Sequence, residues 1–133
     1  MTLDIYDAFG VKLNTFAANL SPARSVNYIG SPVTFVPPST GEWLEAAVFW
    51  NGHENYAWGE GPSGVDRGFF RVGVVTRAGI QAAQPIAELL VTEFKKLTVL
   101  ATALVDRMPE LSGPLQEDDR LTVPVTIHWR VSR

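Results

Sequence analysis

Residues 67–97, RGFFRVGVVTRAGIQAAQPIAELLVTEFKKL, decide the fold of this chain. Residues 68–76 are rich in Phe and Val, which pack well on a pleated surface, and hold one charge, Arg71, so they read as a largely buried strand. Gly79 breaks that pattern. From Ile80 onward Ala83, Ala87, Leu90, Val91, Phe94 and Leu97 recur at three- and four-residue steps, the spacing of one helix face, while Gln81, Gln84, Glu88, Thr92 and Lys95 fall elsewhere. A strand followed by an amphipathic helix is a sheet with a cover. Pro85 removes a backbone donor and disfavours a helical Gln84, which predicts a short first turn, a kink, or a helix starting near Pro85.

Upstream, Ile5, Phe9, Leu13, Phe16 and Leu20 form a second helical stripe within residues 3–20. Gly10 weakens that helix by about 1 kcal/mol relative to alanine, which suggests that another group packs close to it. Residues 21–41 carry four prolines, at 22, 32, 37 and 38, and read as an extended connector with one short strand at 33–36. Residues 42–50, EWLEAAVFW, read as a strand with both faces substantially apolar, as expected when helices cover one and a second layer or another protein meets the other.

Residues 51–66, NGHENYAWGEGPSGVD, form a Gly- and Asn-rich loop longer than most connections in compact domains, and loops of that length are commonly functional. Residues 98–106 read as a strand with a helical alternative, and 108–120 as a loop. Across 121–131, Leu121, Val123, Val125, Ile127, Trp129 and Val131 alternate with Thr122, Pro124, Thr126, His128 and Arg130, a strand with one buried and one exposed face. Pro124 predicts an edge position for it. The expected architecture is a single α+β domain over residues 1–133: one mixed or antiparallel sheet of four to five strands packed against two helices.

Composition narrows the function. The chain of 133 residues has no Cys and two His, so it lacks disulfides and the usual soft ligands of zinc. A net charge of -3 gives no long-range attraction for polyphosphate, which argues against sequence-specific nucleic-acid binding. The start of the chain has Asp4 and Asp7 and no base before Lys12, unlike an export signal, and no stretch approaches the roughly 20 apolar residues that span a bilayer. The expectation is an intracellular protein without a membrane partner. Four Trp, seven Phe and three Tyr leave aromatic surface to spare for a partner.

Catalytic chemistry finds little support. Neither His53 nor His128 sits in a recognisable motif, and the plain reading of each is a solvated or singly hydrogen-bonded imidazole. Glu117, Asp118 and Asp119 are adjacent and point different ways in an extended segment, so they read as a solvated acidic turn rather than as acid-base groups or magnesium ligands. Gly59, Gly61 and Gly64 lack the following helix of a phosphate loop. Trp43, Tyr56, Trp58, Phe69 and Phe70 could stack bases, but without a basic groove they fit a core or a protein interface better. The expectation is no enzyme, no catalytic residue, no metal and no cofactor. A different class, a small ligand-binding domain or enzyme with a pocket on the sheet using His128 or Glu45, stays open.

Taken in order, the amphipathic first helix, Trp43-Leu44 opening an early strand, the long 51–66 loop, GFFRVGVVTRAG leading into AELLVTEF, and the closing LTVPVTIHWRV resemble the tail terminator proteins of long-tailed bacteriophages. The likeness spans nearly the whole chain; the Pro-rich stretch at 31–41 and Pro85 depart from the pattern. It implies a non-catalytic structural subunit of the virion, made in the host cytoplasm, that assembles with itself as a hexameric ring at the head-proximal end of the tail. There it would meet the tail tube protein and the head-tail connector proteins. Another head-tail joining or tail-completion protein would share these traits. For such a subunit the expected interface residues are His53, Glu54, Tyr56 and Trp58 on the loop, with Arg67, Arg71 and Arg77 pairing across subunits with the acidic turn at 117–119.

Overall fold

The computed structural model describes residues 2–54 and 65–132. Helix α1, Thr2–Ala18, is followed by strands β1 (Val26–Tyr28), β2 (Trp43–Glu54) and β3 (Val65–Thr76), then by helix α2, Ile80–Glu93. Strands β4 (Val99–Leu100), β5 (Ala103–Val105), β6 (Glu110–Leu111), β7 (Leu115–Glu117) and β8 (Arg120–Ser132) complete the order. All eight strands join one mixed sheet in the order β1-β2-β3-β8-β5-β4, with β6 and β7 also paired to β8. The α+β class and the two helices are as expected, and the count of four to five strands is corrected to eight.

The additional strands are short and owe their existence to long neighbours. The connector's strand is Val26–Tyr28, parallel to Leu44–Ala46 of β2, and the stretch 33–36 is irregular with Val33 and Val36 exposed. The span 98–106 breaks at Ala101, whose φ of 56° turns the chain into the β4–β5 hairpin. The 108–120 loop contributes β6 and β7, both laid against β8.

Strand β8 is therefore internal, against the edge position read from Pro124: β3 pairs along one side of it, and β5, β6 and β7 line the other. A residue's N–H and C=O point to the same side of a strand. Ser112 donates to the Pro124 carbonyl at 3.0 Å, so the missing N–H faces the interruption between β6 and β7. Proline is tolerated there because the ladder is already broken.

Both helices cover the same face. The α1 stripe Ile5, Phe9, Leu13 and Phe16 is buried, with Phe9 stacked on Phe70 at 3.9 Å and 5.5 Å from Phe94 of the segment ending α2. From α2, Ala83, Ile86, Ala87 and Leu90 face the sheet. The helix runs through Pro85, which is exposed, so the Gln81 carbonyl that loses its donor lies on the wet side. Leu97, counted on that stripe from its spacing, lies beyond the helix end and is 64% exposed, because its φ of 77° turns the side chain outward.

Gly10 sits against Tyr28, the neighbour its presence in the helix implied. A β-carbon there would lie 3.9 Å from the Tyr28 oxygen, an ordinary contact. Gly10→Ala is therefore expected to raise stability by about 1 kcal/mol in urea denaturation, through helix propensity alone. A lower midpoint would show that Tyr28 cannot tolerate the methyl.

Candidate interaction surface

On the face of the sheet turned away from the helices, register decides which side chains meet. Cross-strand partners share a face, so Phe49, Phe69 and His128 form one row across β2, β3 and β8, and Ala47, Arg71 and Thr126 form the next. The Phe49 and Phe69 rings stack at 4.8 Å, and the His128 ring stands 5.7 Å from Phe69. Arg71 folds back over both phenylalanines, its guanidinium carbon 5.6 Å and 5.7 Å from their centroids. Phe49 remains 41% exposed. His128 Nε2 lies 3.5 Å from Glu110 on β6, which places an acid at the far end of the strip. Arg67 and Arg130 face each other one row further on.

The lower part of the same face is closed. Trp43 is fully buried under the guanidinium groups of Arg77 and Arg120, at 4.9 Å and 5.4 Å. Arg77 also donates to the Pro38 carbonyl at 2.8 Å and lies 3.4 Å from Asp119. Glu42 accepts from Arg24 at 2.8 Å where both side chains are nearly buried, tying the connector to β2. Glu45 lies 3.5 Å from both Trp43 Nε1 and Asn27 Nδ2.

Strand β1 pairs with only three residues of β2, Leu44–Ala46, so β2 from Ala47 to Glu54 presents an open edge among the described residues. That edge adjoins the aromatic row through Phe49, and unpaired donors and acceptors on a sheet edge invite another strand.

The structure thus brings Arg71 onto an aromatic strip, sets Arg67 beside it, and gives Arg77 to the chain's own Trp43, Pro38 and Asp119. His53 and Glu54 lie on β2, paired in register with Asp66 and Val65. Tyr56 and Trp58 fall outside the described residues. Sequence reasoning missed Phe49 as a partner of Arg71; its signal was position, since Phe49 shares a face with Trp43 and Glu45.

A separate groove of about 770 Å³ runs between α1 and β1, lined by Tyr6, Val11, Tyr28, Ile29, Pro32 and Val48 with Asp7 at its rim. The Tyr28 hydroxyl donates to Asn14 Oδ1 at 2.6 Å and lies 3.1 Å from the Gly10 carbonyl. Burial, and secondarily Tyr6, push its phenol up to about 12, far from any role in proton transfer near neutrality. His128 and Glu45, the polar groups of the pocket alternative, lie outside this lining and are separated by β3. No group of three or more potential metal ligands occurs among the described residues, and none of the described helices is long and apolar enough to cross a membrane.

One solved chain superposes with a TM-score of 0.81 at 24% identity, covering 100% of this chain and 96% of that one. A chain from the virion of a native gene transfer agent particle is similar with a TM-score of 0.56 at 12% identity, covering 100% of this chain and 95% of that one. At such identities the likeness is one of fold. No curated protein matches the sequence. A family model described as phage tail terminator protein matches residues 4–129.

Proposed function

Because this chain belongs to the phage tail terminator family, a family of structural proteins, we propose that its copies close into a ring on the head-proximal end of a tail tube. The ring, a hexamer by analogy with that family, stops tube growth and offers the head-tail connector proteins their docking surface. The chain acts by fitting surfaces together and carries out no reaction. Its place is the virion, after assembly in the host cytoplasm, with no membrane and no sequence-specific nucleic acid among its partners.

The observation that carries this reading is the aromatic strip on the outer sheet face, where Arg71 lies over the stacked Phe49 and Phe69 beside an edge of β2 that is open among the described residues. A domain acting alone has little use for a stacked aromatic pair on its wet face. Aromatic and arginine side chains are the ones enriched where protein surfaces meet. In this reading His53, Glu54, Tyr56 and Trp58 contact the tube or the next subunit.

The test is reconstitution. Purified chain added to polymerising tube protein of the same phage is expected to shorten the tubes and to appear as an extra ring at one end in electron micrographs. Tubes that grow to unchanged length, with the chain absent from their ends, would refute the proposal.

A further inference from the structure

We propose that the groove between α1 and β1 receives the corner between α2 and β4 of a second copy of this chain. The inference rests on the ring reading and names two surfaces that would meet in it.

The groove has an apolar demand. Val11 and Ile29 on its wall are 67% and 54% exposed, and the Tyr28 hydroxyl is already satisfied by Asn14. Asp7 at the rim has no ion-pair partner among the described residues.

The corner offers the complement. Leu97 and Val99 are 64% and 66% exposed, and Lys95 and Lys96 beside them are exposed without an ion-pair partner among the described residues. The corner is also preformed. Leu97 N–H donates to the Val105 carbonyl at 2.8 Å, Val105 N–H to the Thr98 carbonyl at 2.9 Å, and the Thr98 hydroxyl to the Lys95 carbonyl at 2.7 Å. These bonds hold Leu97 at φ 77°, a left-handed conformation that a leucine disfavours, so a protruding apolar side chain is maintained against its own backbone preference. A knob already ordered loses little entropy on docking.

Charge chooses between occupants. A second exposed apolar set, Met108, Leu111 and Leu115, is interleaved with Glu110 and Glu117 and would bring acids against Asp7. The corner brings Lys95 and Lys96 instead. Helix α1 keeps the two surfaces apart within one copy. On one flank Lys12 pairs with Glu93 at 2.9 Å at the end of α2, and on the other Gly10 and Asn14 meet Tyr28. Two different patches that cannot meet in one molecule make a head-to-tail contact, and repetition closes a ring when the rotation allows.

The native chain has no cysteine, so a directed cross-link gives a clean readout. Full-length Ile29→Cys/Leu97→Cys, concentrated and oxidised, is expected to run as a ladder of covalent oligomers, with Ile29→Cys/Leu89→Cys as the control that stays monomeric. A disulfide needs α-carbons within about 7 Å. In parallel, Asp7→Lys and Lys96→Glu are each expected to raise the concentration needed for assembly in light scattering roughly fivefold, and the double reversal to restore it. Assembly by the wild type with no ladder above the control would overturn this contact and leave the ring reading standing. Neither assembly nor ladder, alone or on tube ends, would overturn both.

Discussion

A Gly68→Ala chain is expected to lose about 3 kcal/mol of stability, enough to unfold a sizeable fraction of a marginal domain. Its β-carbon would stand 2.5 Å from Trp129 Cζ2 and 2.6 Å from the Phe49 carbonyl oxygen. Neither neighbour can yield cheaply. Trp129 is 1% exposed and packed on Phe70 at 6.0 Å, and the Phe49 carbonyl is backbone of the adjoining strand. Gly73→Ala supplies the comparison. Its β-carbon would meet Thr122 Cγ2 at 2.7 Å, the end of a half-buried side chain on which χ1 can turn, so a loss of about 1 kcal/mol is expected. Urea midpoints measure both. Equal losses would show that the indole moves freely and that the core around Gly68 is looser than its geometry implies.

Charge reversal at Arg71 is expected to act on assembly and not on folding. The guanidinium is exposed, and an exposed cation–π contact contributes about 0.5–1 kcal/mol, so Arg71→Glu should barely move the urea midpoint. On a meeting surface the same change replaces attraction by repulsion, which costs several kcal/mol, so tube capping is expected to need about a hundredfold more protein. Arg71→Lys keeps the charge and loses the planar stacking over Phe49 and Phe69, and should fall between the two. Raising salt should weaken wild-type capping in the same direction. Full capping by Arg71→Glu, indifferent to salt, would remove this face from the interface.

The reading of the sequence succeeded where a residue's role depends on its near neighbours along the chain. The stripes of α1 and α2 and the inward half of the β8 alternation are periodic signals, and Ile5, Phe9, Leu13, Ala83, Leu90, Val125 and Trp129 are buried as that periodicity requires; Pro124 and Thr126, read as lying on an exposed face, are buried too, because β6 and β7 lie alongside. Gly10 announced a neighbour, and Tyr28 is that neighbour. Strands β1, β4, β5, β6 and β7 have two or three residues each and no period to detect; they are strands because β2, β8 or each other lie alongside. Pro124 misled for the same reason, since an edge is a property of what lies next door.

The arginines divide along this line. Arg67, Arg71 and Arg77 look alike in sequence, yet Arg77 folds onto Trp43 and Arg71 onto the Phe49–Phe69 pair. Periodicity along the chain set the two helices, the long strands and the faces they bury, because hydrophobic burial follows spacings of two and of three to four residues. Register between strands and the crossing of α1 over β1 lay beyond it. Those contacts join residues tens of positions apart, and only closure of the whole sheet puts Phe49, Phe69, Arg71 and His128 on one strip and opens the groove beside Tyr28.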